Sequence, residues 1–348
     1  MIDVLADKLG SVGHIVLNRP QALNALTTQM CLDILEALNH FEADNDITCI
    51  VFDRINESRA FCAGGDIRML ATSGKGDGKD ARAFFHAEYR MNHRLFTYAK
   101  PTVAIMDGIT MGGGVGIALP CRYRVATENT RFAMPETGIG LFPDVGGGWY
   151  LPRLPGQVGK FLALTGARLD GAECLALGLA THYILSGDVA AVLTALSNNH
   201  DDIATTLKAH GTGAPIARIV ENRTHIDRLF AGDGIAAIMA ALEADGGTWA
   251  TKELATLRTK SPLSCSVALR QLREGAAMPD FAAEMAREYA IGARVVHTHD
   301  FIEGVRALII DKDNAPKWQP HVDLAEVDAI FAPMPPGQEW TPLPARSP

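Results

Sequence analysis

The chain has 348 residues, 47% of them hydrophobic and 21% charged, with a formal net charge of −8. That length and apolar content suffice for a large buried core, in one large domain or one domain with an appended helical part. The negative balance argues against nucleic-acid binding, which takes an excess of Lys and Arg to neutralise phosphates.

The predicted elements alternate from the start. His14-Ile15-Val16-Leu17 reads as a strand, residues 28–41 as an amphipathic helix with apolar Ile34, Leu35, Leu38 and Phe41, and Cys49-Ile50-Val51-Phe52 as a strand again. This is an α/β pattern. A small-residue turn, Ala60-Phe61-Cys62-Ala63-Gly64-Gly65-Asp66-Ile67, follows that strand, and residues 73–79 read as a mobile Gly/Lys-rich loop near the binding cleft. Over 84–92 the aromatics and Met91 mark one apolar helical face, and a charge such as Glu88 on a helix of this kind is usually solvated. Pro101-Thr102-Val103-Ala104-Ile105-Met106 predicts a buried strand, Asp107-Gly108 a turn, and Gly116-Ile117-Ala118-Leu119 the first turns of a helix. Beyond about residue 156 the pattern is mainly helical: 157–164, 172–177, 234–243, 262–273 and 281–296. The Pro-rich stretch 333–348 reads as irregular. The division this suggests is a core over 1–200, a mainly helical region over 201–332 and a tail over 333–348.

The segment 100–154 carries the chemistry. It combines the cluster Met111-Gly112-Gly113-Gly114-Val115-Gly116 with two later carboxylates, Glu136 and Asp144. Glycines at a helix start weaken it by roughly 0.5–1 kcal/mol each relative to Ala, so something must offset them. Unpaired N–H groups on a bare backbone suit a phosphate or a developing oxyanion. Close helix-to-strand packing is the other reading of the same glycines. The turn at 60–67 supplies a second candidate loop, and an oxyanion accepts hydrogen bonds from two directions. For the carboxylates the alternatives are structural: a cap or surface charge at Glu136, and a helix N-cap at Asp144 ahead of Val145-Gly146-Gly147-Gly148.

Other classes lack their signatures. The six cysteines are scattered without CxxC and read as reduced thiols. His225, His297 and His299 have no HExxH or paired-Cys context, so no metal site is expected. GxSxG, GxGxxG and Walker-A patterns are missing, which counts against a serine hydrolase, a dinucleotide enzyme and a P-loop NTPase. No run of about 18 apolar residues spans a bilayer. The start Met1-Ile2-Asp3-Val4 has neither a signal-peptide core nor transit-peptide character, and Ala345-Arg346-Ser347-Pro348 is not a peroxisomal address. The expected location is cytoplasmic.

The motifs Leu17-Asn18-Arg19-Pro20 with Asn24-Ala25-Leu26, Ala63-Gly64-Gly65-Asp66, the Gly112 cluster and Phe132-Ala133-Met134-Pro135-Glu136 recur in one order. In this the chain resembles the crotonase (enoyl-CoA hydratase/isomerase) superfamily. Phe84-Phe85 with Glu88-Tyr89, the run 134–148 and the segment 300–313 are most similar to its 3-hydroxyisobutyryl-CoA hydrolase branch. The resemblance implies a spiral of β-β-α turns with a helical C-terminal region over the acyl pocket. It also implies a coenzyme A thioester site with an oxyanion hole formed by the N–H groups of Ala63 and Gly113. Ala63, Gly64, Gly65 and Asp66 are then the CoA-binding turn, Glu136 and Asp144 the catalytic carboxylates, and Glu88, Gly113, Glu136 and Asp144 the substrate contacts. Hydratases of the family carry one Glu at the end of the glycine cluster, where this chain has Gly116, and a small residue where it has Asp144. Arg19, Arg59 and Arg68 are candidates for a local basic patch, or ordinary surface charges.

Elementary chemistry points the same way. Hydration of a C=C bond needs two acid/base groups, whereas thioester hydrolysis needs one carboxylate to attack or to activate water, oxyanion stabilisation, and a thiolate that leaves readily. Glu136 is the candidate carboxylate, and Asp144 binds a substrate hydroxyl or orients Glu136. The leading expectation is hydrolysis of 3-hydroxyisobutyryl-CoA in valine breakdown, with 3-hydroxypropionyl-CoA as a second substrate. An enoyl-CoA hydratase or isomerase and a non-catalytic CoA-ester binder are the alternatives. No cofactor is expected beyond the CoA of the substrate, and no nucleic-acid or membrane partner. Family members commonly form trimers or dimers of trimers, so a homo-oligomer is an open expectation.

Overall fold

The computed structural model describes residues 2–198 and 202–344. The chain divides into two compact units, each built from three separate stretches: Met1–Gly65, Arg90–Ala133 and Arg168–Val220 in the first, Asp66–Tyr89, Met134–Ala167 and Glu221–Pro348 in the second. This is not the consecutive division expected at residues 200 and 332. Parallel strands need long crossovers, so the chain leaves the strand-bearing unit and returns to it repeatedly.

Among the described residues the first unit holds nine strands: β1 (Val4–Leu9), β2 (Val12–Leu17), β3 (Cys49–Arg54), β4 (Ala60–Cys62), β5 (Thr102–Met106), β6 (Ile109–Met111), β7 (Tyr123–Ala126), β8 (Arg131–Ala133) and β9 (His182–Tyr183). They form a six-stranded sheet, β1-β2-β3-β5-β7-β9, and a three-stranded sheet, β4-β6-β8. Among the pairs of these described strands, only β1–β2 is antiparallel. Three successive passes, β3-β4, β5-β6 and β7-β8, each give one strand to each sheet before helical chain follows. That is the expected β-β-α spiral. The large sheet packs through Val12, Val51, Val103, Ile105, Val125 and Ile184, all essentially inaccessible, the β-branched run of a sheet covered on a face.

The Asn24 motif is a brace for the second strand layer. Leu23 and Asn24 take left-handed backbone, φ 53° and 56°. Asn24 Nδ2 then donates to the carbonyls of Ala60 (2.9 Å) and Phe61 (3.0 Å), while Asn24 Oδ1 accepts from Arg19 N–H.

In the second unit the helices Val158–Thr165, Ile235–Asp245, Pro262–Gly275 and Phe281–Val295 lie within two residues of their predicted bounds. Local capping sets the starts: Ser261 accepts from Ser264 N–H with Pro262 in the first turn, and Asp280 accepts from Ala283 N–H. The predicted loop at 73–79 is shorter than expected. Helix Ile67–Gly74 runs into it and the next helix, Lys79–Phe96, begins at its end, with Ser73 Oγ accepting from Ala81 N–H to join them. Residues 333–344 are irregular, and the last four lie outside the described residues. Among the described residues no helix is long and apolar enough to cross a membrane.

Candidate active site

The second unit gathers the carboxylates. Past Met134-Pro135 the chain enters a short 3-10 turn, Glu136–Gly138, pinned by Thr137 Oγ1 donating to the carbonyls of Ala163 and Leu164. Gly140 (φ 78°) lies so close to the Asp300 carbonyl that a methyl there would sit 2.1 Å from it. This seats Glu136 at 4% exposure with Oε2 unpartnered, which removes the surface-charge reading. Asp144 follows Pro143 at 5% exposure. It is not a cap: helix Gly147–Tyr150 starts at Gly146 with no side-chain cap, and Asp144 Oδ2 instead accepts from the Tyr89 hydroxyl at 2.9 Å. Glu88, one residue before Tyr89 on the long helix, is 2% exposed with an unpartnered Oε1 and is therefore no solvated charge.

Burial and mutual repulsion set the ionisation of this group. Loss of water raises the Glu136 carboxyl well above its ordinary value, and the Asp144 charge raises it further. Glu88 is raised by burial, then by Asp144 and Glu136. Asp144 is pushed up to about 7 by burial, held there against a further rise by the Tyr89 hydrogen bond. A carboxylate stripped of water at Glu136 is a stronger base and nucleophile than one in solvent. Next to Asp144, Val145 occupies left-handed backbone, φ 52°. For a β-branched residue that costs about 1–3 kcal/mol, a strain that persists only where neighbours enforce it.

The first unit has backbone donors of its own. Gly114 rests against β4 so closely that a methyl would lie 2.2 Å from the Cys62 carbonyl, which draws the glycine segment against the 60–65 turn. Both readings of the glycines thus hold: close packing at Gly114, and N–H groups of Gly113 and Gly114 with no acceptor among the described residues. The helix begins at Gly113, three residues earlier than predicted, since Gly112 takes the φ 47° that lets the chain turn into it.

Ala63 is a correction. Its N–H already donates to the Leu23 carbonyl at 3.0 Å, the carbonyl that the left-handed turn at Leu23 aims at it, so it is no open donor. The turn's open donor is Gly65, whose N–H meets no acceptor among the described residues, while the Gly64 carbonyl accepts from Leu26 N–H. Asp66 caps helix Ile67–Gly74 by accepting from Met69 N–H. Helix Gly113–Ala118 is wholly buried and carries no carboxylate, and Asn92 Nδ2 donates to the Gly116 carbonyl at 2.9 Å. Of the basic candidates, Arg19 Nη1 donates to the Ala25 carbonyl and Arg68 Nη2 to that of Ile309, whereas Arg59 is exposed.

Sequence reasoning named Tyr89 without giving it a role and passed over Gln271, Glu284 and Glu288. All four lie in the second unit and are buried. A signal existed: Phe281, Glu284, Met285, Glu288, Ile291 and Val295 follow helical spacing, so two acids occupy core positions of one stripe.

Comparison with known proteins places this geometry. Residues 12–331 match the family model described as enoyl-CoA hydratase/isomerase. The chain belongs to that family. Its curated relatives include 3-hydroxyisobutyryl-CoA hydrolase, mitochondrial, of Danio rerio, 43% identical over 94% of this chain and 88% of the relative. The protein of the same name in Homo sapiens is 42% identical over 93% of this chain and 86% of its own length. A solved structure described as a carnitinyl-CoA dehydratase from Mycobacterium thermoresistibile superposes with TM-score 0.92 at 39% identity, covering 97% of this chain and 98% of that one. The cytoplasmic expectation is overturned here: these hydrolase relatives are mitochondrial proteins, and they point to the mitochondrion.

Proposed function

We propose that this protein hydrolyses a short-chain 3-hydroxyacyl-CoA thioester, with 3-hydroxyisobutyryl-CoA giving 3-hydroxyisobutyrate and CoA as its main reaction. It is an acyl-CoA thioester hydrolase of the crotonase fold, like the curated relatives that share over 40% of its residues. The observation that carries the choice within the family is the distribution of carboxylates: a buried Glu136 with an unpartnered oxygen beside Asp144, and none on the helix Gly113–Ala118. The resemblance puts the second acid/base group of the hydratases on that helix, where this chain has Gly116.

In the reaction, Glu136 acts as general base on water or as the nucleophile itself. With Glu136 as base, a C–O bond from water forms at the acyl carbon, the C–S bond breaks, and the departing thiolate takes up the proton that water gave to Glu136. With Glu136 as nucleophile, the first C–O bond is that of an acyl anhydride, which water then opens to release the acid and regenerate Glu136, the proton again going to the thiolate. Backbone N–H groups of Gly113 and Gly65 hold the oxyanion, a pair of donors of the kind whose removal costs about 3–4 kcal/mol of barrier for each donor lost. Asp144, with Oδ2 engaged by Tyr89, offers Oδ1 to the 3-hydroxyl of the acyl group. Glu88 lines the acyl side. The turn 63–66 takes the CoA portion, and the chemistry as written uses no cofactor besides the CoA of the substrate. The product fits a step of valine breakdown.

Free-CoA release from a panel of acyl-CoA esters tests this. Thiol release from 3-hydroxyacyl esters supports hydrolysis. Loss of enoyl absorbance without thiol would instead make it a hydratase, closer in chemistry to the carnitinyl-CoA dehydratase that shares its fold.

A further inference from the structure

Behind Asp144 lies a second acid group that the reaction does not use. On helix Phe281–Val295, Glu284 and Glu288 are both 0% exposed and, four residues apart, share one face. Glu288 accepts three N–H bonds: Gly146 N–H to Oε2 at 2.8 Å, and Gly148 N–H and Gln271 Nε2 to Oε1, each at 3.1 Å. Gln271 Nε2 also donates to the Pro143 carbonyl at 2.8 Å. The tied groups sit at 143, 146 and 148, so they bracket Asp144 on both sides.

This turn needs an outside restraint. It holds Val145 at φ 52° and Gly146 at φ 94°, and the helix it opens has no side-chain cap of its own. A carboxylate can accept all three bonds at once, because its two oxygens offer about four lone-pair sites.

We propose that Glu288 is a positioning residue for the hydrolysis: through Gly146, Gly148 and Gln271 it fixes the turn that presents Asp144 to the acyl hydroxyl. The proposal rests on the reading of Asp144 as the hydroxyl acceptor. Glu284 completes the clamp from behind, where a methyl at Gly148 would lie 1.8 Å from its Oε1. Burial raises both acids, Glu284 to about 7, and the charges of Glu284 and Asp144 raise Glu288 further, so the pair keeps a proton near neutrality. The three N–H donors favour the charged form of Glu288 against that rise. The other groups facing the pair are Asp144 from the turn, Tyr89, Gln271 from its helix and Arg153, whose charge favours ionised Glu284.

The test compares 3-hydroxyisobutyryl-CoA with isobutyryl-CoA, as kcat/KM, in the full-length protein and in E288Q, Q271M, D144G and E288Q/D144G, with circular dichroism and Tm for each. E288Q leaves one N–H of the turn facing an amide NH2, and a displaced group costs about 10²-fold. That loss is expected for the hydroxyacyl ester, with less than about a tenth of it for isobutyryl-CoA. In the D144G background E288Q should cost little more, since residues acting as a unit are not additive. Equal losses on both esters from E288Q, or a full further loss on top of D144G, overturn the proposal while leaving Asp144 as the hydroxyl reader. Equal losses on both esters from D144G itself overturn the Asp144 reading and the proposal with it. If E288Q does not fold, Q271M decides, because it frees Pro143 while keeping both glycine bonds: an unchanged preference for the hydroxyacyl ester overturns the clamp.

Discussion

Tyr89→Phe isolates one atom of the site. Phe keeps the ring, packed 5.5 Å from that of Phe85, and removes only the hydroxyl that donates to Asp144 Oδ2 at 2.9 Å. A buried hydrogen bond to a charged acceptor is worth about 1.5–3 kcal/mol, and one pH unit corresponds to about 1.4 kcal/mol, so losing it should raise Asp144 by roughly 1–2 units. The starting point is about 7. At pH 7 the ionised fraction then falls from about half to between roughly a tenth and a hundredth. If ionised Asp144 accepts the acyl hydroxyl, kcat/KM for 3-hydroxyisobutyryl-CoA drops roughly 5- to 50-fold at pH 7 and is at least about half restored by about pH 9. The assay is thiol release across pH 5.5–9.5 for both proteins. An acid limb that stays in place in Tyr89→Phe would refute the reasoning, since the hydroxyl would then not set the ionisation of Asp144.

Three further outcomes follow from the same geometry. Glu136→Gln keeps the shape of the side chain but removes its base or nucleophile, so kcat should fall by at least about 10² with little change in CoA-ester affinity; near-normal thiol release sinks the assignment. Gly114→Ala drives a methyl to 2.2 Å from the Cys62 carbonyl and should cost about 1–3 kcal/mol in denaturant unfolding, whereas Gly187→Ala, with nothing within 4 Å, should be silent. Glu284→Gln should change how stability depends on pH. The folded protein keeps this proton up to about 7 against an ordinary 4.5, so it binds more protons than the unfolded chain between those values, and wild-type stability falls as pH rises through that window. The variant lacks that loss and should gain on wild type by up to about 3 kcal/mol between pH 4.5 and 7, levelling off above; parallel curves would contradict the proton's placement.

The first-layer strands and the long helices were legible because 49–52 is an unbroken apolar run, as a strand of a covered parallel sheet is, and the apolar residues of 281–295 follow a period of 3.6. The three-residue strands β4, β6 and β8 were not, since three residues show no period. Their pairing also depends on contacts far apart in sequence, such as Asn24 bracing Ala60 and Phe61. Glu136 and Asp144 were found by motif, yet the reason Asp144 is not a cap lies in Tyr89, 55 residues earlier. Ala63 failed as a donor for the same reason: its N–H goes to Leu23, and only the left-handed turn at 23–24 makes that bond. Glu284 and Glu288 were readable as acids within an apolar stripe, but their role appears only where Gln271 and the 143–148 turn meet them.

The most direct measurement is the release of free thiol from 3-hydroxyisobutyryl-CoA by wild type and Glu136→Gln, run beside crotonyl-CoA with its enoyl absorbance followed. Stoichiometric CoA release from the hydroxyacyl ester, abolished in Glu136→Gln and without hydration of crotonyl-CoA, is the predicted result. Enoyl absorbance lost from crotonyl-CoA with no thiol released from either ester would contradict the account, because the carboxylate at Glu136 would then be serving hydration.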